Sequence, residues 1–188
     1  DLSREYKLAL HLDGARVFNA AVRQDVNVSR ITSRFDSISA CLSKGLGAPV
    51  GSVLCGSRNF IDNARRWRKV LGGGWRQAGV LAAAGLFALE HHIERLAIDH
   101  HHATFLAESL AEIEELSVDD FPERTNMVWV EAPQWSLATL EPNLRKEGVL
   151  ISMDDYPLRL VTHLDINEAD IQIVTRIFKN FFSKKKSI

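Results

Sequence analysis

The stretch SISACLSKGLGAPVGS (residues 37–52) leads an apolar, strand-like run into a loop of small residues, with Lys44 at the junction. Strand alternation places Lys44 on the same face as Ala40 and Leu42. An amine in a partly desolvated pocket can attack carbonyl groups, and the glycines that follow allow the backbone to approach a ligand closely. A lysine at a strand end can also extend into solvent. Both interpretations of Lys44 stay open on these residues alone.

The composition is typical of a globular protein with one domain, or with one large lobe and a smaller one. Of the 188 residues, 46% are hydrophobic and 25% are charged, and the formal net charge is −1. Nucleic-acid binding needs a surplus of lysine and arginine on one face, and the longest apolar run, residues 80–89, is too short to span a membrane. We therefore expect neither nucleic acid nor a membrane as a partner.

The two cysteines, Cys41 and Cys55, lie in separate strand-like runs without metal-ligand spacing. This pattern predicts buried free thiols in a reducing compartment, the cytoplasm, rather than a disulfide framework.

The start of the chain is unusual, because it opens on Asp1 and a buried-looking strand follows within a few residues. We expect the chain to be the C-terminal part of a longer polypeptide.

The order of elements predicts an α/β protein. Strands are predicted at residues 7–13, 36–43, 51–56, 125–132 and 158–164. Helices are predicted at residues 14–22, 58–70, 75–116 (as one helix or two), 135–147 and 167–182, the last capped by Asn167 or Asp165. The change of pattern near residues 114–122 predicts a boundary between domains at 1–115 and 116–188.

Asp13 closes the first predicted strand, on the face opposite to its leucines. Open α/β sheets bind their ligands at the carboxyl ends of their strands. Arg16 follows on the same side if a helix has already begun. The alternative, equally open, is that Asp13 caps this helix and Arg16 neutralises it.

The block VLGGGWRQ (residues 70–77) places a glycine run ahead of a predicted helix. Such a run presents N–H groups to an anion, and Arg76 adds a positively charged fork, but triple glycine is also a simple helix breaker. The cations upstream in RRWRK (residues 65–69) are usual for a solvated helix face and also suit an anion site.

Arg159 lies within the predicted strand LRLVTHL (residues 158–164). An unpaired buried cation is very costly, so we expect this arginine to be paired. Its partner is either a protein carboxylate, such as Asp155 or Asp165, or the carboxylate of a ligand.

Five histidines occur in one predicted helical region, namely His91, His92, His100, His101 and His102. Consecutive helical residues point in different directions, and no pair has a recognised metal-ligand setting. The sequence therefore predicts histidines on the helix surface and no metal site.

Four blocks occur together in a distinctive order: LHLDGARVFNA (10–20), CLSKGLGAPVGS (41–52), RWRKVLGGGWRQAG (66–79) and LRLVTHLD (158–165). With them the chain closely resembles low-specificity L-threonine aldolases, which are fold-type-I enzymes dependent on pyridoxal 5'-phosphate (PLP), over residues 8–182. The resemblance implies the C-terminal part of a PLP-dependent transferase-like large domain (the aspartate aminotransferase fold) with a mixed sheet. A small α/β C-terminal domain would follow it.

The resemblance also implies roles for single residues in holding PLP. Lys44 would be the catalytic lysine that forms a Schiff base with the cofactor. Asp13 would pair with the protonated pyridine nitrogen. Arg76 would bind the cofactor phosphate, and Lys69 would reach the phosphate of a neighbouring subunit.

For the substrate, the resemblance implies that Arg16 and Arg159 clamp the α-carboxylate of an amino acid. The reaction would be retro-aldol cleavage of the Cα–Cβ bond of L-threonine or L-allo-threonine, which yields glycine and acetaldehyde. There are two alternatives: another fold-type-I lyase or racemase, or an inert fragment that serves only in assembly. The expected partners are the N-terminal part of the same enzyme, present as another chain or subunit of the assembly, and further copies in a tetramer or dimer.

Overall fold

The computed structural model describes residues 2–153 and 156–185. It divides into two compact units, Asp1–Leu96 and Ala97–Ile188. The predicted domain boundary between residues 115 and 116 lies within the second unit and stays a prediction. Within the described residues, no helix is both long and apolar enough to cross a membrane.

The first unit is built on a mixed three-stranded sheet. Its elements are α1 (Leu2–Glu5), β1 (His11–Gly14), α2 (Val17–Arg23), α3 (Val28–Thr32), β2 (Ser37–Cys41), β3 (Ser52–Gly56), α4 (Arg58–Val70) and α5 (Gly79–His91). Strand β2 lies in the middle, parallel to β1 and antiparallel to β3. This arrangement confirms the predicted α/β class with a mixed sheet.

The parallel pair β1–β2 determines where the candidate residues project. Asp13 lies opposite Ser39 and Gly14 lies opposite Ala40, so both strands end at the same edge of the sheet. The strands approach each other closely there, because a Cβ on Gly14 would lie 3.0 Å from the carbonyl oxygen of Ser39. Glycine at the end of β1 thus permits the close pairing that brings the two carboxyl ends together.

The small core of the first unit anchors the loop that follows β2. Its buried side chains are Leu42, Leu46, Ala48, Ala88 and Leu96. Two of them, Leu42 and Leu46, stand on either side of Lys44 in the sequence, and burial of each leucine contributes roughly 1.5–3 kcal/mol. The loop is therefore held to the core on both sides of its lysine.

The second unit is a three-stranded antiparallel sheet covered by helices. Its elements are α6 (Leu96–Ala111, beginning at the unit boundary), β4 (Ser117–Val118), β5 (Met127–Glu131), α7 (Gln134–Lys146), β6 (Leu158–Val161) and α8 (Glu168–Lys185). The strand order is β4–β5–β6. Alternate residues of β5 and β6 enter a core that also takes apolar side chains from α6, α7 and α8.

Several helix boundaries follow directly from local sequence signals. The predicted helix at residues 58–70 is α4, and the region 75–116 contains the two helices α5 and α6. At the start of α8, Asp170 N–H donates to Asn167 Oδ1 (3.1 Å) and Asn167 N–H donates to Asp170 Oδ2 (2.9 Å). This reciprocal pair is a capping box, so Asn167 rather than Asp165 caps the helix.

Candidate active site

Lys44 stands at the tip of a tightly bonded turn between β2 and β3. Gly47 N–H donates to the Lys44 carbonyl oxygen at 2.9 Å, and Ala48 N–H donates to the Leu42 carbonyl oxygen at 2.9 Å. Gly47 has φ 70°, in the left-handed region that favours glycine. The Lys44 side chain itself is exposed. The residues of this turn (42–48, called here the Lys44 turn) therefore have a defined backbone that presents an accessible amine.

Gly45 fixes the packing of the Lys44 turn against its neighbours. A Cβ at this position would lie 2.9 Å from Leu96 Cδ2 and 3.2 Å from Asn19 Oδ1. Both of these side chains are buried. The residue next to the lysine must therefore be a glycine for the turn to pack this closely against α2 and Leu96.

Asp13 and Arg16 lie at the same edge of the sheet as the Lys44 turn. Asp13 is exposed near the end of β1, and its Oδ1 accepts a hydrogen bond from Ala15 N–H at 3.2 Å. Helix α2 begins at Val17 with half-buried Arg16 as its N-cap residue, so the alternative that Asp13 caps the helix is wrong. The carboxylate of Asp13 thus remains accessible at the carboxyl end of the strand.

The glycine run between α4 and α5 has cationic side chains lying on its bare backbone. A Cβ on Gly73 would lie 2.8 Å from Arg68 Cγ, and one on Gly74 would lie 2.9 Å from Lys69 Nζ. Arg76 follows in the same connection and is exposed. The ammonium of Lys69 therefore lies over a segment with no side chains, which is a setting suited to an anion.

Arg159 lies on β6, in the second unit, opposite Trp129 of β5. It is exposed while Leu158 and Leu160 on either side are buried, so the expectation of a buried arginine is wrong. Of the proposed carboxylate partners, Asp165 lies 3.4 Å from His163 (Oδ2 to Nδ1), and Asp155 lies outside the described residues.

The positive charge of Lys44 affects the pKa of Cys41. Its Sγ lies 3.4 Å from Ser43 Oγ. Burial raises the pKa of the Cys41 thiol, but hydrogen bonds to Ser43 and Ser52 and the positive charge of Lys44 together hold that pKa below its ordinary value. Both cysteines are free, with Cys41 half-buried and Cys55 exposed, so the prediction of buried thiols is wrong. All five residues of β3 are exposed, and Cys55 is one of them.

The five histidines agree only in part with the prediction of a helix surface, because two of them are exposed as predicted. His100 and His102 are buried, with exposed fractions of 5% and 8%. Half-buried His92 bonds through Nδ1 to the Leu46 carbonyl oxygen at 2.6 Å, which makes it a neighbour of the Lys44 turn that the sequence reasoning missed. The feature of the sequence that could have indicated this contact is the position of His92 just after an apolar helix. The described residues contain no group of three metal-ligating side chains.

Comparison with solved structures places the chain in a known class of fold. It superposes on the threonine aldolase of Leishmania major with a TM-score of 0.74 at 19% identity, over 96% of this chain and 54% of that chain. Neighbours of this kind are PLP-dependent fold-type-I enzymes, which confirms the predicted fold class.

Sequence comparison identifies the family. The model of the beta-eliminating lyase family matches residues 1–133, and the chain belongs to this family. The low specificity L-threonine aldolase of Escherichia coli (strain K12) is 43% identical over 98% of this chain and 54% of its own length. The low-specificity L-threonine aldolase 1 of Arabidopsis thaliana is 40% identical over 95% and 51%. The predicted resemblance is thus confirmed, and the chain spans about half the length of the curated relatives it matches.

Proposed function

We propose that this chain forms part of a PLP-dependent lyase that cleaves L-threonine or L-allo-threonine to glycine and acetaldehyde. The observation that carries the proposal is the carboxyl edge of the first sheet, where the parallel strands bring Asp13 and the Lys44 turn to the same side. The relatives that carry the name low-specificity L-threonine aldolase support the choice of substrate.

The residues of the first unit fit the chemical groups of PLP. Lys44 offers an accessible amine for the aldehyde carbon, and Asp13 offers a carboxylate for the protonated pyridine nitrogen. The bare glycine segment under Lys69, followed by Arg76, suits a phosphate. When bound, PLP supplies an electron sink for the electrons released by Cα–Cβ cleavage.

In this proposal Arg16 and Arg159 are each suited to bind a substrate carboxylate. The planar guanidinium matches a carboxylate with two parallel hydrogen bonds, which a lysine cannot reproduce. Arg16 is positioned by the start of α2, and exposed Arg159 is positioned by β6 between two buried leucines. An arginine that holds the carboxylate would orient the bond to be broken while Lys44 holds the cofactor.

We also propose that the active protein is a cytoplasmic assembly that includes the remaining part of the same enzyme and further copies of it, as a tetramer or dimer. Helix α4 has no buried residue, and its surface includes Trp67 with an exposed fraction of 64%. Leu71, at the end of this helix, is 80% exposed. Apolar surface of this kind is typical of interaction sites. The mass of the purified assembly in solution, with identification of every polypeptide in it, tests this part of the proposal.

The proposal is tested by assaying the complete protein for acetaldehyde and glycine from each threonine diastereomer. Lys44→Ala is expected to abolish both products, and borohydride reduction is expected to fix a pyridoxyl group on the peptide that contains Lys44. Lys146→Ala, which removes an exposed lysine from α7, is the matched control and leaves turnover unchanged. Full turnover by the Lys44→Ala protein would refute the proposal. Absence of both cofactor absorbance and product would instead favour an inert subunit that serves in assembly.

A second candidate reaction is favoured by the description of the family itself, beta-eliminating lyase. Elimination of the β-hydroxyl of threonine or serine as water, followed by hydrolysis of the resulting imine, yields a 2-oxo acid and ammonia rather than glycine and an aldehyde. Measurement of all four products from L-threonine and L-serine separates the two reactions.

A further inference from the structure

His92 makes a hydrogen bond whose direction is fixed by chemistry. Its Nδ1 lies 2.6 Å from the Leu46 carbonyl oxygen. A carbonyl oxygen only accepts, so Nδ1 carries the proton and donates it. The bond joins the residue that ends helix α5 to the Lys44 turn, two segments that lie far apart in the sequence.

The acceptor stands at a critical place in the Lys44 turn. The side chain of Leu46 is 2% exposed and anchors the turn in the core. The next two amides, those of Gly47 and Ala48, donate to Lys44 and Leu42 within the turn itself. The carbonyl of Leu46, in contrast, is bonded from outside the turn, so His92 fixes the peptide plane between Leu46 and Gly47 relative to α5.

The imidazole of His92 is itself held in orientation. Its ring contacts Phe87 edge-on, with ring centroids 5.4 Å apart and an interplanar angle of 87°. Its backbone N–H donates to the Ala88 carbonyl oxygen at 2.9 Å, as the last bond of the helix. The helix end and Phe87 both restrict the orientation of the ring. The hydrogen bond from this ring therefore also restricts the position of the Leu46 carbonyl.

We propose that His92 is a positioning residue that holds the Lys44 turn in place through the Leu46 carbonyl. Its importance for catalysis rests on the proposed function, in which Lys44 holds the cofactor. The position of the Lys44 amine then depends on a hydrogen bond made to Leu46, two residues further along the chain. Small displacements of a reacting group can reduce turnover by as much as about a hundredfold.

The test compares three variants of the complete protein. His92→Leu removes the donor at similar volume, and His92→Asn retains an N–H at the position of Nδ1. His91→Leu is the matched control, because it removes the adjacent exposed imidazole, which also contacts Phe87, with ring centroids 4.4 Å apart and an interplanar angle of 51°. The readouts are hydrogen–deuterium exchange of the peptide that contains Gly47 and Ala48, and kcat and KM for L-threonine.

Loss of one hydrogen bond to a buried segment predicts exchange about fivefold faster in His92→Leu, with recovery of most of the protection in His92→Asn. We expect kcat to fall by about tenfold in His92→Leu with KM changed by less than about twofold, since the turn acts on the reacting amine rather than on the substrate carboxylate. His91→Leu is expected to match the unmutated protein in both readouts.

Exchange within twofold of the unmutated protein in His92→Leu would overturn the proposal, as would equal effects of the leucine and asparagine variants. If His92→Leu does not fold, His92→Asn and His92→Gln replace the pair, because glutamine moves the N–H towards the position of Nε2 and should leave exchange fast. A missing pyridoxyl label on Lys44 in the unmutated protein would refute the proposed function. The exchange comparison would still decide whether His92 holds the turn.

Discussion

Replacement of Gly45 by alanine tests how tightly the Lys44 turn is packed. The new Cβ would lie 2.9 Å from Leu96 Cδ2, closer than side-chain carbons approach one another, and 3.2 Å from Asn19 Oδ1. Leu96 is completely buried and Asn19 nearly so, so neither side chain can swing into solvent. The added methyl group must therefore be accommodated by a shift of the turn or of its neighbours.

Two opposing terms set the expected change in the free energy of unfolding. Overpacking of a closely packed site costs about 1–3 kcal/mol. Loss of the flexibility of glycine in the unfolded chain stabilises by about 0.4–1 kcal/mol. The net expectation for Gly45→Ala is a destabilisation of about 1–2 kcal/mol, which also displaces the residue next to Lys44.

Gly79→Ala is the matched control. A Cβ on Gly79, the first residue of α5, meets no described atom within 4 Å. Overpacking is absent at this site, so only the loss of flexibility in the unfolded chain applies. This variant should therefore be more stable by about 0.4–1 kcal/mol. If the free energy of unfolding falls in Gly45→Ala and rises in Gly79→Ala, the loss cannot be a general effect of replacing glycine by alanine in this unit.

The assay is denaturant unfolding of both variants and of the unmutated protein, with the slope of the transition checked for equality. In thermal unfolding, a chain of this size should shift its Tm by about 2–4 °C for each kcal/mol. Gly45→Ala with a stability equal to or above that of the unmutated protein, at an unchanged slope, would refute the packing argument.

Two further predictions concern charges in each unit. Lys44→Met removes a positive charge that helps to lower the pKa of Cys41, so the pH midpoint for alkylation of Cys41 should move upward; an equal shift at Cys55 would contradict a local effect. In the second unit, Arg124 donates to both carboxylate oxygens of Asp119 at 2.8 Å, and both side chains are largely buried. Arg124→Met leaves that carboxylate buried without its cation and should cost about 3–5 kcal/mol in denaturant unfolding, whereas a loss below about 1 kcal/mol would show that the pair acts like a surface ion pair.

Local patterns in the sequence predicted those features that depend on neighbouring residues alone. The end of helix α4 was predicted from the glycines that follow it. For α8 the sequence left Asn167 and Asp165 open as the cap, and the structure shows Asn167.

Burial and long-range contacts were not predictable in the same way. Alternation gives the face on which a side chain lies, but not whether another element covers that face. Arg159 and Cys55 are therefore exposed where burial was expected, and His102 is buried where exposure was expected.

The Lys44 turn shows how these two kinds of information combine. The quoted stretch predicts a lysine among glycines, but the reasons for the turn's geometry lie elsewhere in the chain. Gly45 packs against Asn19, and Leu46 is bonded by His92. Because these contacts lie within the first unit, the backbone of the turn is specified there, although the lysine side chain stays exposed. The exchange and stability measurements therefore test whether these contacts within the first unit determine the conformation of the turn.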